Sequence, residues 1–185
     1  MDKTFFKKYY NLVQENLDNV VINDLIKVAE LAKKTAESGK KLIIAGNGGS
    51  AAMASHVSVD FTKVAKVRAI NFNEADLITC FSNDYGYEHA YQKAIEFYGD
   101  KDDMLILISS SGNSPNIINA ANYGKKAGLS VVTLSGFKPT NKLKNLGDIN
   151  IWVDCESYNI VEMTHHIILL SIVDYIVGDI HYSSN

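Results

Sequence analysis

Two segments rich in serine and glycine are the part of this 185-residue sequence best suited to bind an anion. Residues 46–50 read GNGGS and residues 109–114 read SSSGNS, and each segment lies between an apolar run and a helix-like stretch. Glycine allows strained backbone and close approach of a ligand, and free N–H groups at a helix N-terminus attract negative charge. Ser50 can cap the first helix, and Pro115 suits the first turn of the second. Each segment therefore predicts a loop that binds a phosphate group or a sugar oxygen.

A tight turn before a capped helix requires the same residue types as an anion-binding loop. Two such loops at the carboxyl ends of strands in one sheet favour a ligand site, because open α/β sheets bind ligands there. The nucleotide pattern G-x-x-x-x-G-K-[ST] and the dinucleotide pattern G-x-G-x-x-G are both missing from these loops. The sequence therefore predicts a phosphorylated ligand other than a P-loop or Rossmann nucleotide.

Five ionisable residues on two predicted helices could perform catalysis or bind a metal ion. His56 and Asp60 are four residues apart on the helix after the first loop and face the same way. Such a pair can ligate zinc or form a surface hydrogen bond. Glu162, His165 and His166 interrupt an apolar last helix, where burial is costly unless the groups are paired or functional. Glu-x-x-His occurs in helical metal sites, so the two groups together predict either a metal site or a polar network at a subunit contact.

The elements that position these residues alternate along the chain. Short apolar runs predict buried strands at residues 41–46, 67–72, 104–109, 130–135 and 149–153. Helical patterns are found at residues 2–38, 50–64, 74–82, 88–98, 114–127, 141–145 and 158–180. Strands that alternate with helices predict a parallel sheet covered on both faces. No linker or repeat divides the chain, so we expect one domain over residues 1–185.

The first and last helices offer more apolar surface than a five-stranded sheet can cover. The last helix is apolar around most of its circumference, and the first carries a broad apolar stripe. A helical bundle between subunits would bury both surfaces, so we expect a homo-oligomer.

Composition disfavours several classes of partner. The net charge of −3 and the lack of a polybasic run provide no field for nucleic acid or an anionic membrane surface. We expect no signal peptide and no apolar segment long enough to span a bilayer. Cys80 and Cys155 form no Cys-x-x-Cys pair, which is typical of buried thiols in a reducing compartment. The sequence therefore predicts a cytoplasmic protein without nucleic-acid or membrane partners.

Three motifs in order give the chain a specific resemblance. The GNGGS loop, the sequence NDYGY at residues 83–87 and the SSGNS loop are similar to the phosphoheptose isomerase branch of the SIS family. The resemblance covers nearly the whole chain. It implies an αβα sandwich with a five-stranded parallel sheet in flavodoxin-like order, and a homotetramer with its terminal helices in the oligomer bundle. It also implies isomerisation of sedoheptulose 7-phosphate to a D-glycero-heptose 7-phosphate for surface polysaccharide.

The resemblance also implies roles for individual residues. It places the phosphate group on Ser50, Ser109, Ser110, Ser111 and Ser114. It places the sugar along Asn47, Gly48, Gly49, Asn83 and Asp84.

In the family a His and a Glu at the spacing of His56 and Asp60 bind zinc, and here the carboxylate is one methylene shorter. The family's remaining ligands, a Gln and a His that is also a catalytic base, fall at Val161 and Leu169 by simple alignment, and neither residue can bind metal or transfer a proton. The base is therefore predicted among Glu162, His165 and His166. The predicted zinc site consists of His56, Asp60, Glu162 and His166.

The leading hypothesis is an aldose-ketose isomerase for a phosphorylated seven-carbon sugar. One alternative is a non-catalytic SIS protein that binds a phosphosugar or a protein partner, like the initiator-associating relatives of the family. Another is an isomerase of a different phosphosugar, with the same phosphate loops and a changed sugar pocket.

Overall fold

The computed structural model describes residues 4–182, which form a five-stranded parallel sheet and seven α-helices. The strands are β1 Leu42–Gly46, β2 Ala69–Asn71, β3 Met104–Ser109, β4 Ser130–Ser135 and β5 Ile149–Trp152. The helices are α1 Thr4–Asp18, α2 Ile22–Glu37, α3 Gly49–Lys63, α4 Ala75–Tyr85, α5 Ala90–Tyr98, α6 Pro115–Ala127 and α7 Tyr158–Val177. Short 3-10 helices lie at Tyr87–His89 and Leu143–Asn145.

The sheet order is β2-β1-β3-β4-β5 and every neighbouring pair is parallel. The flavodoxin-like order is therefore confirmed, and it places the ends of β1 and β3 side by side. In this order the connections leave β1 and β3 towards opposite faces, which opens a crevice between the two strand ends.

Helices cover both faces of the sheet because the strand side chains alternate between two cores. On β1, Leu42 and Ile44 pack with α2, α3 and α7, whereas Ile43 and Ala45 pack with α5 and α6. The αβα sandwich is confirmed. α3 and α6, the helices that follow the two predicted anion loops, lie on opposite faces and begin at the same edge.

β2 is three residues shorter than the predicted run at residues 67–72. It is an edge strand whose one partner among residues 4–182 is β1, and the buried side chains of Val67 and Phe72 lie just outside it. The apolar signal at its ends thus reflects burial of the flanking residues rather than pairing.

α7 meets the length and composition of a membrane-spanning helix, with 20 residues and a mean hydropathy of 1.6 over its most apolar window. The expectation that no segment is so long and apolar is therefore wrong. In this fold α7 is a core helix, since one side packs on α2 and α3 and buries Ile168, Leu169, Ile172 and Val173. Its apolar character follows from burial against the sheet layer.

α1 packs against α7 and leaves most of its apolar side chains exposed. Phe5, Phe6 and Tyr10 are each more than half exposed. Assembly through α1 and α7 stays a prediction, because the structure contains one chain.

Candidate active site

A cavity of about 230 Å³ opens between the carboxyl ends of β1 and β3, beside the start of α7. It is lined by Asn47, Ser50, Ile108, Ser109, Ser110, Ser111, Ser114, Tyr158 and Glu162. Seven of the predicted site residues thus lie together in the crevice that the strand order creates. The lining is polar and includes five serine hydroxyls, which suits a phosphate group.

The first loop turns sharply at Gly48, whose φ of 56° and ψ of −121° are accessible to glycine. Gly48 is also the N-cap of α3, so the expectation that Ser50 caps this helix is wrong. Ser50 lies instead within the first helical turn, buried, with its side chain on the cavity wall. A Cβ on Gly46 would come within 2.6 Å of the Ser50 Cβ, so the loop needs glycine there to pack this closely.

The second loop presents its hydroxyl groups to the same cavity. Ser109 Oγ and Ser114 Oγ share a hydrogen bond of 3.0 Å. Ser110 Oγ is buried and has no hydrogen-bond partner among residues 4–182. A buried hydroxyl without a partner is costly, and a bound phosphate oxygen would satisfy it. No group of the described chain thus takes the place at Ser110 Oγ that a ligand oxygen could occupy.

The carboxylate of Glu162 lies directly against the first loop. A Cβ added to Gly49 would clash with Glu162 Oε2, so the carboxylate keeps its present place only while residue 49 is glycine. Burial raises the pKa of Glu162 above its ordinary value. A carboxyl group with a raised pKa beside a sugar-phosphate pocket is suited to general acid–base catalysis.

His166 and His56 connect α7 to α3. His166 Nε2 and His56 Nδ1 are 3.0 Å apart, and His56 Nε2 lies 3.4 Å from Asp60 Oδ2. Burial and, secondarily, the His56 imidazole lower the pKa of His166. The two helices therefore meet through a row of Asp60, His56 and His166, but of the predicted catalytic and metal residues the cavity lining contains Glu162 and none of these three.

His165 lies outside this row. It is fully buried, and its Nε2–H donates to the carbonyl oxygen of Ser135 over 3.1 Å. Burial lowers the pKa of His165 to about 4, so the ring is neutral near pH 7. His165 therefore holds α7 against the end of β4, and it does not line the cavity.

The positions that simple alignment assigns to the family's Gln and His also lie away from the cavity. Val161 and Leu169 are fully buried in the core. The face of α7 that meets the cavity and α3 carries Tyr158, Glu162 and His166, which follow one another at intervals of four residues. Glu162 is therefore one position after the aligned Val161, and His166 is three positions before the aligned Leu169.

The residues present do not fit a zinc ion in this arrangement. Asp60 and His166 contact opposite nitrogens of the His56 ring, so the three cannot converge on one ion, and Glu162 lies against Gly49. In the described part of the chain, no group of three or more His, Cys, Asp or Glu side chains is arranged to hold a metal ion. We therefore derive no catalytic step through a metal.

Asn83 and Asp84 are not brought to the cavity within this chain. They lie exposed at the end of α4, where Asn83 Nδ2 donates to Asp84 Oδ1 over 2.9 Å. A role for them along the sugar stays a prediction.

The sequence analysis did not predict a role for two residues near the loops. Asn116 and Tyr87 both form hydrogen bonds with the side chain of Asn47. Tyr87 belongs to the NDYGY motif, and Asn116 directly follows Pro115, so both stood beside recognised motifs. Sequence proximity gave no sign that they meet Asn47, which lies 40 residues before Tyr87 and 69 before Asn116.

Comparisons with known proteins agree with this geometry. The SIS domain family matches residues 5–136. A phosphoheptose isomerase of Fusobacterium nucleatum is 37% identical over 93% of this chain and 89% of its own length. That of Sulfurimonas denitrificans is 32% identical over 96% of both chains.

Solved structures share the fold. A phosphoheptose isomerase from Francisella tularensis superposes with a TM-score of 0.88 and 23% identity, over 97% of this chain and 100% of the other. One from Neisseria gonorrhoeae gives a TM-score of 0.87 and 25% identity, over 95% of this chain and 96% of the other.

Proposed function

We propose, from the premise that the chain belongs to the SIS domain family and to its phosphoheptose isomerase branch, that it is an aldose-ketose isomerase. Its substrate is sedoheptulose 7-phosphate and its product a D-glycero-heptose 7-phosphate for surface polysaccharide. The observation that carries this proposal is the carboxylate of Glu162 against the phosphate-type loop at Gly49, in a cavity lined by five serines.

The phosphate group is held between the two loops. Ser109, Ser110, Ser111 and Ser114 supply hydroxyl groups from one side and Ser50 from the other. The N-termini of α3 and α6 both begin at this edge, and their dipoles favour the negative charge. Binding by these groups places the rest of the sugar along α7.

Glu162 acts as the base. Its carboxylate removes a proton from carbon 1 of the ketose, and the electron pair of that bond forms the double bond of an enediol between carbons 1 and 2. The oxygen on carbon 2 takes up a proton as this bond forms. Glu162 then returns its proton to carbon 2 while the hydroxyl on carbon 1 loses its proton and becomes the aldehyde.

His166 exchanges the oxygen-bound protons. It gives a proton to the oxygen of carbon 2 and receives one from the oxygen of carbon 1, so no net proton is gained or lost. Its contact with His56, which is itself oriented by Asp60, supports this role. Because His166 Nε2 is hydrogen-bonded to His56 Nδ1, both proton transfers pass through Nδ1 of His166.

Further proposals concern the setting of the enzyme. The exposed apolar side chains of α1 support a homo-oligomer, which we expect to be a tetramer. Cys80 is exposed and Cys155 only partly buried, so the expectation of buried thiols is wrong, but both thiols are free, which supports a cytoplasmic location. Nucleic-acid and membrane partners are not expected.

The direct test is incubation of the protein with sedoheptulose 7-phosphate, with formation of the aldose followed by NMR. Appearance of an aldehyde hydrate or pyranose signal at carbon 1 is expected, with exchange of one carbon-bound proton for deuterium in heavy water. Binding without turnover would support the non-catalytic alternative and contradict the proposal. Turnover of only a six-carbon ketose phosphate in a parallel assay would indicate the other alternative.

A further inference from the structure

We propose that Asn116 and Tyr87 are positioning residues, which fix the first loop to the second through the side chain of Asn47. Neither residue lines the cavity, so both act on a ligand through Asn47. The inference rests on the proposed function for the identity of the ligand, and not for the contacts between the loops.

The core of this arrangement is a reciprocal pair of amides. Asn47 Nδ2 donates to Asn116 Oδ1, and Asn116 Nδ2 donates to Asn47 Oδ1, each over 2.9 Å. Asn116 is only 2% exposed, so these hydrogen bonds are shielded from water. The pair joins the loop after β1 to the first turn of α6 directly, without passing through the sheet.

The orientation of both amides is determined by a backbone group. The N–H of Ile117 donates to Asn116 Oδ1 over 3.0 Å, which identifies that atom as the oxygen. The partner atom on Asn47 must then be its nitrogen. Asn47 Oδ1 also accepts the Tyr87 hydroxyl over 2.8 Å, so both of its lone pairs are used. One N–H of Asn47 is left, on a side chain that lines the cavity.

The segment that carries Tyr87 is itself attached to both loop-bearing elements. The Tyr91 hydroxyl donates to the carbonyl oxygen of Gly46 over 2.6 Å, and burial raises the pKa of Tyr91 to about 12. Asn119 Nδ2, on α6, donates to the carbonyl oxygen of Glu88 over 2.9 Å. Residues 87–91 therefore join the first loop to α6 by a second route.

This arrangement matters because one phosphate group must meet both loops at once. α3 and α6 lie on opposite faces of the sheet, and the pairing of β1 with β3 ends at Gly46 and Ile108, so beyond the sheet the two loops are joined by these side-chain hydrogen bonds. A displacement of about 1 Å in such a site reduces catalysis strongly. Asn116 and Tyr87 thus set the width of the phosphate site.

The test compares Tyr87→Phe and Asn116→Ala with a matched control, Tyr98→Phe. Tyr87 is 51% exposed and Tyr98 52%, and the Tyr98 hydroxyl makes no hydrogen bond within the described chain. Amide hydrogen exchange of residues 46–52 should be about three- to tenfold faster in the first two variants and unchanged in the control, because each loses hydrogen bonds that hold the loop. This measurement requires no substrate.

Kinetics provide the second readout. Asn116→Ala should raise KM for sedoheptulose 7-phosphate more than it lowers kcat, since it disturbs phosphate placement and leaves Glu162 in position. Asn116→Asp should raise KM further, because its second oxygen would face Asn47 Oδ1. If loop exchange rises in the two variants as expected but the wild-type protein turns over no substrate, only the proposed function is contradicted. Loop exchange in Tyr87→Phe equal to that in Tyr98→Phe would overturn the inference, even if Asn116→Ala proved too unstable to measure.

Discussion

At the scale of residues, three side chains within about one turn of α7 have separate surroundings. Glu162 faces the first loop, His166 faces α3, and His165 is buried beneath the helix. Of the three, Glu162 alone lines the cavity. The chemistry of this helix therefore depends on which side of it a residue occupies.

Glu162→Gln should reduce turnover by at least about 100-fold, because general acid–base catalysis contributes that much and glutamine cannot accept a proton. Phosphosugar affinity measured by calorimetry should stay close to that of the wild type. Glu156→Gln, an exposed change just before α7, is the matched control. Retained turnover in Glu162→Gln would assign the base elsewhere.

The raised pKa of Glu162 also has a predictable sign for stability. The folded protein holds this proton at pH values where the unfolded chain has lost it, so stability falls as pH rises through that window. Above that window the charge on this partly buried carboxylate is a cost that glutamine removes. Glu162→Gln should therefore be at least as stable as wild type at pH 7 in urea unfolding, with the difference lost below the ordinary pKa of glutamate.

His165 gives the opposite dependence. Its pKa falls from 6.5 to about 4 on folding, so the unfolded chain binds more protons between these values. The stability it contributes is complete above pH 6.5 and is lost as pH falls towards 4, by about 3 kcal/mol. His165→Gln keeps an N–H donor without titrating and should flatten the pH dependence of unfolding. The exposed change His181→Gln should leave the dependence as in wild type, and equal curves for both variants would contradict the assignment.

At the scale of elements, the proposed phosphate site consists of two loops and the helices that they begin. Ser111 and Ser114 both line the cavity, and Ser114 shares a hydrogen bond with Ser109. Their contribution comes from the whole loop, since strand β3 brings every one of these hydroxyls to the same edge.

Replacing both Ser111 and Ser114 with alanine should weaken binding of the phosphosugar by well over tenfold. Each hydroxyl donates to a charged group, and such a bond contributes on the order of 1.5 to 3 kcal/mol. Calorimetric titration measures the change, with Ser171→Ala on the far part of α7 as the control. Unchanged affinity would remove this loop from the phosphate site.

Gly49→Ala tests the contact between α3 and α7. The new Cβ would lie 2.2 Å from Glu162 Oε2, so the carboxylate must move and turnover should fall about tenfold or more. In a Glu162→Ala background the same change should have little effect on the free energy of unfolding, because the clash is gone. An equal loss of stability in both backgrounds would show that the loop backbone, and not Glu162, requires the glycine.

At the scale of the whole molecule, the aromatic side chains of α1 expose apolar surface that a single chain leaves in contact with water. They lie beside α7, which itself exposes Met163 and Ile167 on the side away from the sheet. A second copy of this chain would cover both surfaces in one bundle. The interpretation of residues 1–185 as a single domain likewise stays a prediction.

We expect the protein to be a tetramer by light scattering at micromolar concentration, and Phe6→Asp to reduce its mass. Phe97→Asp is the matched control, since Phe97 is 63% exposed and Phe6 62%, and it lies on the opposite layer of the sandwich. A monomeric wild-type protein would contradict the proposed homo-oligomer. Dissociation by Phe97→Asp alone would move the interface to α5.

The sequence by itself determined the fold class and the position of the two loops that line the cavity. β3 and β4 begin and end where their apolar runs do, and both GNGGS and SSSGNS reach the predicted cavity. These features follow from local signals, because buried strands are continuously apolar and glycine or serine must follow them at a ligand-binding turn.

Only the tertiary structure decided which polar residues meet. Helical spacing fixes that Glu162 and His166 share a face and that Val161 does not, but the rotation of α7 against the sheet chooses the face that is buried. The Asn47–Asn116 pair, the burial of His165 and the opposed contacts of His56 each join distant segments. Such contacts depend on how the packed layers bring the helices together, and a local sequence pattern does not predict that packing.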